Sequence, residues 1–200
     1  MTRTIEFYFD FPSPYSYLAH TQLPKIAAEH GATVTYHPFR ILELMTIVGN
    51  RPTTIECKNK GKYAGVDLQR WPMRYNVDFS RNPHLKSFDY AELDRAVLVA
   101  VEDGLGAEYV TAVFTAIWGK PVDLSQRAVL SEVLEKAGFN APQLIQRASH
   151  AGIVAKLEAE TKAAAERGVF GAPTMFVGQH MFFFGNDRLD FVAEALRSTT

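Results

Sequence analysis

The chain opens on an alternation. Ile5, Phe7 and Phe9 are apolar and Glu6, Tyr8 and Asp10 stand between them, a period of two that predicts a strand with one face more buried than the other. Pro12 ends it. Ser13 suits a helix N-cap, since its side-chain oxygen can accept a first-turn N–H, and Pro14 suits the first helical position, where a missing N–H costs nothing. Tyr17, Leu18, Leu23, Ile26 and Ala27 then form a helical apolar face to about His30, with Pro24 expected to kink it and Gly31 to stop it. Alternation returns over 33–39, where Val34, Tyr36 and Pro38 oppose Thr33, Thr35 and His37. A strand, a helix and a strand in so short a span imply a right-handed crossover between two parallel strands.

The apolar residues of 40–65 have no clean period, and Gly49-Asn50-Arg51-Pro52 marks a turn inside them. Residues 54–63 carry Lys58 and Lys60, followed closely by Lys62; this run serves either as a solvated helix face or as a mouth that attracts a carboxylate. Residues 66–71 read as the end of a helix stopped by Pro72, and 76–86 as a loop. From 88 to about 138 the pattern is helical. One face carries Tyr90, Leu93, Val97 and Ala100 and ends at Gly104, a second carries Tyr109, Val113 and Ile117 and ends at Gly119, and a third helix starts at Asp123-Leu124-Ser125. Residues 141–148 and 153–166 add two more. Strand grammar resumes over 168–177, with a hairpin turn at Gly178-Gln179-His180, a partner strand over 181–184, and a turn at Gly185-Asn186-Asp187 that can cap a last helix. The predicted order is βαβ, a long helical block, then ββα, with a binding cleft between the two parts.

Composition narrows the function. A chain of 200 residues with 47% apolar and 22% charged residues can bury a sizeable core, and a formal charge of −1 gives no general attraction to nucleic acid or an anionic membrane. No apolar run reaches the length of a membrane span, and Glu6 and Asp10 interrupt the apolar N-terminal stretch in a way no signal peptide does, so a cytoplasmic location is expected. The single cysteine, Cys57, can form neither an intrachain disulfide nor a two-cysteine redox couple. The six histidines are scattered without metal-ligand spacing, so no metal site is expected.

The first landmark is the Ser13 turn, which sets a hydroxyl at the positive end of a helix beside unpaired amides, a place that favours an anion. On residue type alone a structural cap explains Ser13 equally well. The stretch Asp10-Phe11-Pro12-Ser13-Pro14-Tyr15-Ser16-Tyr17-Leu18-Ala19 resembles the opening motif of the 2-hydroxychromene-2-carboxylate isomerases, close relatives of the kappa-class glutathione transferases. The resemblance implies an α/β thioredoxin-like fold built from 1–45 and 165–200, a large all-helical insertion over 46–164, and Ser13 as the catalytic residue. In that fold a redox pair would stand at the start of the first helix; here those positions read Ser13-Pro14-Tyr15-Ser16, which excludes disulfide exchange by residue type.

The second landmark is Ala172-Pro173-Thr174. A proline opening a strand is permitted where no ladder N–H is needed. It reads as a plain turn proline or, through the resemblance, as a cis-proline whose preceding residue offers its backbone to an extended peptide. The resemblance then implies glutathione as cofactor, held by Ser13, Asn50, Ala172, Pro173, Asn186 and Asp187, with Asn186 and Asp187 facing its γ-glutamyl end. Asp187 read alone is a helix cap. Phe184 departs from the tryptophan that the isomerases tend to carry. Asn50, Arg70 and Trp71 are the implied substrate-side residues, though Arg70 and Trp71 could equally pack the inserted helices.

The implied activity is glutathione-dependent cis–trans isomerisation of 2-hydroxychromene-2-carboxylate, from naphthalene-type degradation, to trans-o-hydroxybenzylidenepyruvate, by a small-molecule enzyme working as a homodimer. A kappa-like glutathione transferase uses the same serine, and a non-catalytic thioredoxin-like module would bind peptides beside Pro173. These are the alternatives.

Overall fold

In a computed structural model the described residues are 3–178 and 181–198, apart from the Met181 side chain; the expected turn residues Gln179 and His180 therefore lie outside them. The sheet is built from β1 (Arg3–Phe9), β2 (Ala32–Pro38), β3 (Thr174–Val177) and β4 (Met181–Phe184), in the order β2-β1-β3-β4. β1 and β2 are parallel, as the short crossover requires, with Phe7 opposite Tyr36. β3 runs antiparallel to β1, with Tyr8 opposite Thr174, and β4 runs antiparallel to β3. The end of β1 therefore lies beside the start of β3, and the two turns singled out in the sequence meet there. This is the mixed four-stranded sheet of the thioredoxin-like fold.

The crossover holds two helices, α1 (Pro14–His20) and α2 (Leu23–Glu29), in place of one kinked helix. The break falls at Thr21-Gln22 and Pro24 takes a first-turn position of α2, where its missing N–H is harmless. The segment after β2 forms α3 (Ile41–Val48), α4 (Thr53–Glu56) and α5 (Lys58–Tyr75). Pro72 lies inside α5 and does not stop it. The helix ends one turn later, where Asn76 adopts a left-handed conformation with φ 51°.

The helical block continues with α6 (Tyr90–Glu102), α7 (Gly106–Phe114), α8 (Arg127–Lys136), α9 (Ala141–Ala148) and α10 (Ala151–Glu166); the chain then returns through the sheet to α11 (Leu189–Ser198). A wider helical turn over Thr115–Gly119 extends α7 to the glycine read as its stop.

Ile5, Phe7 and Phe9 face the larger core, an apolar cluster that runs from the sheet into α6, α7, α8 and α9. Phe7 stacks on Phe9 at 4.9 Å, and Phe9 meets Phe114 at 5.5 Å. The opposite face is covered too: Tyr8 and Phe176 pack with Phe39, Leu44, Ala164 and Val169. There Arg167, just after α10, pairs with Glu6, donates to the Tyr8 hydroxyl (2.8 Å) and lies 3.9 Å over the Phe176 ring. Beyond its first residues β1 is thus buried on both faces.

Candidate active site

Ser13 occupies the N-cap of α1 with extended backbone, and its Oγ accepts the Ser16 N–H at 3.1 Å. The turn holding it is fixed from below. The Ser13 N–H donates to the Asp10 carbonyl (3.1 Å), and the buried Trp118 donates its indole N–H to the Phe11 carbonyl (2.9 Å). Tyr15 N–H, a first-turn amide, has no intrahelical acceptor. Ser16 is fully buried and its hydroxyl meets no partner among the described residues, so Ser13 alone of the two serines is half-exposed.

Across the sheet, Ala172-Pro173 is a cis peptide immediately before β3. The Ser13 Oγ donates to the Ala172 carbonyl at 3.4 Å, joining residues 159 apart in sequence. Asn50 reaches the same loop: its Nδ2 donates to the Phe170 carbonyl (2.8 Å) while its Oδ1 accepts the Arg51 N–H (2.8 Å). The Gly185 N–H donates to the Pro173 carbonyl at 3.0 Å, which draws the turn of 185–188 alongside. Gly185 has φ 99°, and a Cβ there would collide with the Asp187 carboxylate, so only glycine fits. Ser13, Asn50, Ala172, Pro173, Asn186 and Asp187 are therefore tied into one region.

Within it the roles differ. The Asn186 side chain is buried and turned toward the Tyr75 hydroxyl, which donates to the Asn186 carbonyl at 2.6 Å. Asp187 is exposed and accepts from Arg188 at 2.5 Å. The turn thus offers a carboxylate and backbone groups, with the asparagine serving as an internal tie.

On α5, Trp71 donates its indole N–H to Asp67 Oδ2 at 3.0 Å, and the same oxygen accepts the Tyr15 hydroxyl at 3.2 Å. Trp71 therefore borders the α1 N-terminus through Asp67, whereas Arg70 is exposed. Burial first, and then the Asp67 charge, raise Tyr15 above the ordinary phenol range, so it is a neutral hydrogen-bond donor and not a base. Asp67, Tyr15 and Tyr75 were missed in the sequence. The Asp67 and Trp71 spacing of i and i+4 is the signal that a helix continuing through Pro72 makes visible.

A cavity of about 510 Å³ lies on the far side of this helix, lined by Leu68, Gln69, Pro72, Met73, Asn76, Val77, Asp78 and Phe79, and holds none of the site residues. Among the described residues no three His, Cys, Asp or Glu side chains gather as a metal site would require, and no helix is long and apolar enough to cross a membrane.

Comparison with known proteins bears on the family and the fold. A family model described as a DsbA-like thioredoxin domain matches residues 4–197. The 2-hydroxychromene-2-carboxylate isomerase of Sphingobium xenophagum is 39% identical over 198 residues, covering 98% of this chain and 99% of that protein. Glutathione S-transferase kappa 1 of Homo sapiens is 26% identical over 219 residues, covering 98% and 92%. The solved structure of a selenomethionine 2-hydroxychromene-2-carboxylate isomerase superposes with a TM-score of 0.87 at 32% identity, covering 97% of this chain and 94% of that one.

Proposed function

This chain belongs to the DsbA-like thioredoxin family and to the 2-hydroxychromene-2-carboxylate isomerases, it is an isomerase, and we propose that it isomerises 2-hydroxychromene-2-carboxylate to trans-o-hydroxybenzylidenepyruvate with glutathione as cofactor. The observation that carries the reading is the contact of the Ser13 hydroxyl with the Ala172 carbonyl, 3.4 Å apart. It brings a hydroxyl, a helix N-terminus and the backbone ahead of a cis-proline to one point. Its full-length likeness to a kappa-class glutathione transferase supports the choice of thiol.

The donor set fits a tripeptide thiol. Ser13 Oγ and the first-turn amide of Tyr15 would face the sulfur. The backbone of Ala172 and Pro173 would pair with the cysteinyl unit as a strand does. Asp187 would answer the ammonium group, and the exposed Lys58, Lys60 and Lys62 would draw a carboxylate. A free thiol is only a few per cent thiolate at neutral pH, with a pKa near ~8.5. A hydroxyl donor together with the positive end of α1 favours the anion. Bound glutathione would supply a thiolate that adds reversibly to the conjugated double bond, making it single long enough to rotate before the sulfur leaves.

Ser13 in this reading is a hydrogen-bond donor and is never acylated, since among the described residues no imidazole is hydrogen-bonded to it. Trp71, held by Asp67, and Asn50 line the substrate side. Arg70, on the exposed side of α5, supplies positive charge for the substrate carboxylate at longer range. Assembly as a homodimer in the cytoplasm completes the proposal.

The test is ultraviolet titration with glutathione for wild type and Ser13→Ala. A thiolate band near neutral pH in the wild type, absent in the variant, is expected. Full isomerase activity in Ser13→Ala would overturn the mechanism. Conjugation of an aryl halide without turnover of the chromene acid would identify a kappa-like transferase instead, and absence of binding would leave a peptide-binding module.

A further inference from the structure

Two carboxyl groups, those of Asp10 and Asp94, interact through their side chains in the core just below the Ser13 turn. Asp10, at the end of β1, is 3% exposed, and Asp94, in the middle of α6, is fully buried. Asp10 Oδ2 accepts the Ile41 N–H at 2.7 Å. The other three oxygens, Asp10 Oδ1 and both of Asp94, have no donor within hydrogen-bond geometry among the described residues; the neighbouring Phe11 N–H bears on the Asp10 carboxylate without reaching that geometry. Among the described residues, the charged and titratable groups that bear most on the pair are otherwise engaged. Arg40, ahead of α3, acts on both at a distance but lies near the surface with Glu43 at 3.6 Å. Arg95, on α6, donates its Nε to the Ala148 carbonyl (3.0 Å). The Tyr90 and Tyr109 hydroxyls, from α6 and α7, donate to the carbonyls of Leu85 and Leu93.

A buried carboxylate with no cation in contact is costly, and two side by side cannot both ionise. The donor the pair lacks is a proton of its own. Burial raises Asp10 to about 7, and burial together with the Asp10 charge holds Asp94 well above the ordinary carboxylate range. Asp10 already accepts an N–H, which favours its charged form, whereas neither Asp94 oxygen has a donor, so Asp94 is the acid and Asp10 the acceptor.

Asp10 in turn touches both halves of the site. Its carbonyl receives the Ser13 N–H (3.1 Å), and its side chain holds the first N–H of α3. The far end of α3 leads to Asn50, whose N–H returns to the Met45 carbonyl at 2.8 Å. We propose that the Asp94 carboxyl donates a hydrogen bond to Asp10, and that this acid–carboxylate pair is the positioning device that sets the Ser13 turn and the α3–Asn50 arm at the distance glutathione requires. The proposal rests on the glutathione reading for its consequence and on the described geometry for the pair itself.

The sign of the pH effect follows. Groups that bind protons more tightly folded than unfolded contribute stability that is full below about pH 4 and lost as pH rises through about 7, by about tenfold in the folding equilibrium per pH unit per proton.

The experiment compares wild type with Asp94→Asn, whose amide can replace the O–H donor, and Asp94→Val, which cannot. Infrared spectra of aspartate-labelled protein at pH 7 should show the carbonyl stretch of a protonated carboxylic acid in wild type and lose it in Asp94→Asn. The melting temperature should fall less steeply between pH 4 and pH 7 in Asp94→Asn. Glutathione affinity should stay within about threefold of wild type in Asp94→Asn and drop by about tenfold or more in Asp94→Val, with the Ser13 and Ile41 amide resonances shifted only in the latter. No protonated-acid band in wild type, a band that survives Asp94→Asn, or equal behaviour of the two variants overturns the proposal. If the variants do not fold, the wild-type infrared spectrum decides alone. If wild type never binds glutathione, the glutathione reading fails while the infrared and amide results still decide this one.

Discussion

Trp118→Phe isolates the support beneath the site. Trp118 is 4% exposed and its indole N–H donates to the carbonyl of the fully buried Phe11 at 2.9 Å. Its own carbonyl accepts the Ser80 N–H at 2.7 Å, a backbone bond that phenylalanine keeps. The ring lies nearly parallel to Phe79, with centroids 5.9 Å apart. The substitution therefore removes one donor and part of a ring and leaves the backbone connections intact. An orphaned buried carbonyl costs about 1–3 kcal/mol. The volume lost by the smaller ring adds about 1 kcal/mol, for a total of about 2–4 kcal/mol. At about 2–4 °C per kcal/mol for a chain of this size, the melting temperature should drop by roughly 5–15 °C.

The other tryptophan is the control. Trp71 is half-exposed, and its indole partner Asp67 retains the Tyr15 hydroxyl and access to water, so Trp71→Phe should cost less than about 1 kcal/mol. Urea denaturation of both variants, followed by the fluorescence of the tryptophan that remains, measures the difference. A loss below about 1 kcal/mol in Trp118→Phe, or equal losses in the two, would refute the reasoning that the Phe11 carbonyl depends on this single donor.

Other expectations follow from the same contacts. Asn50→Ala removes the bond to the Phe170 carbonyl and should weaken glutathione binding about tenfold by calorimetry while changing global stability by less than about 1.5 kcal/mol. The Arg167 hydrogen bond holds Glu6 below the usual carboxylate range, so this pair stabilises the fold above about pH 4.5 and the benefit is lost as pH falls through the lowered value; Arg167→Met should flatten the acid limb of the melting curve. Burial pushes His20 down to about 4, and its Nε2 sits 2.9 Å from the Thr111 hydroxyl. It must charge on unfolding, so stability falls as pH drops from 6.5 toward 4, and NMR should find the His20 imidazole neutral over most of that window and titrating only near its low end.

Much of the frame was legible in the chain because period and punctuation agree there. The β1 alternation and the Ser13-Pro14 start each name one local conformation, whereas Ala172-Pro173 marks a strand opening whose cis peptide only the resemblance implied. Helix α9 was bounded correctly because its apolar face and its ends coincide. Pro72 misled because proline weakens a helix only by removing one N–H and crowding the preceding turn, and on a half-exposed helix tied to α1 through Asp67 the packing outweighs that. Thr21-Gln22 was missed because neither residue is a strong breaker.

The Asp67 bridge and the Asp10–Asp94 pair were invisible for another reason. Each joins side chains far apart in sequence, and an aspartate in an amphipathic helix such as α6 reads as a surface residue until the fold places it inside. The inward turn of Asn186 belongs to the same class.

The antiparallel pairing of β1 with β3 has a consequence for how the protein is made. Ser13 leaves the ribosome well before the carbonyl it faces, which is added 159 residues later. An interrupted chain therefore carries the serine without the backbone and turn that face it. Activity in a cell would count finished molecules rather than synthesised ones, and a chain cut between the two strands should recover function only when both fragments are supplied together.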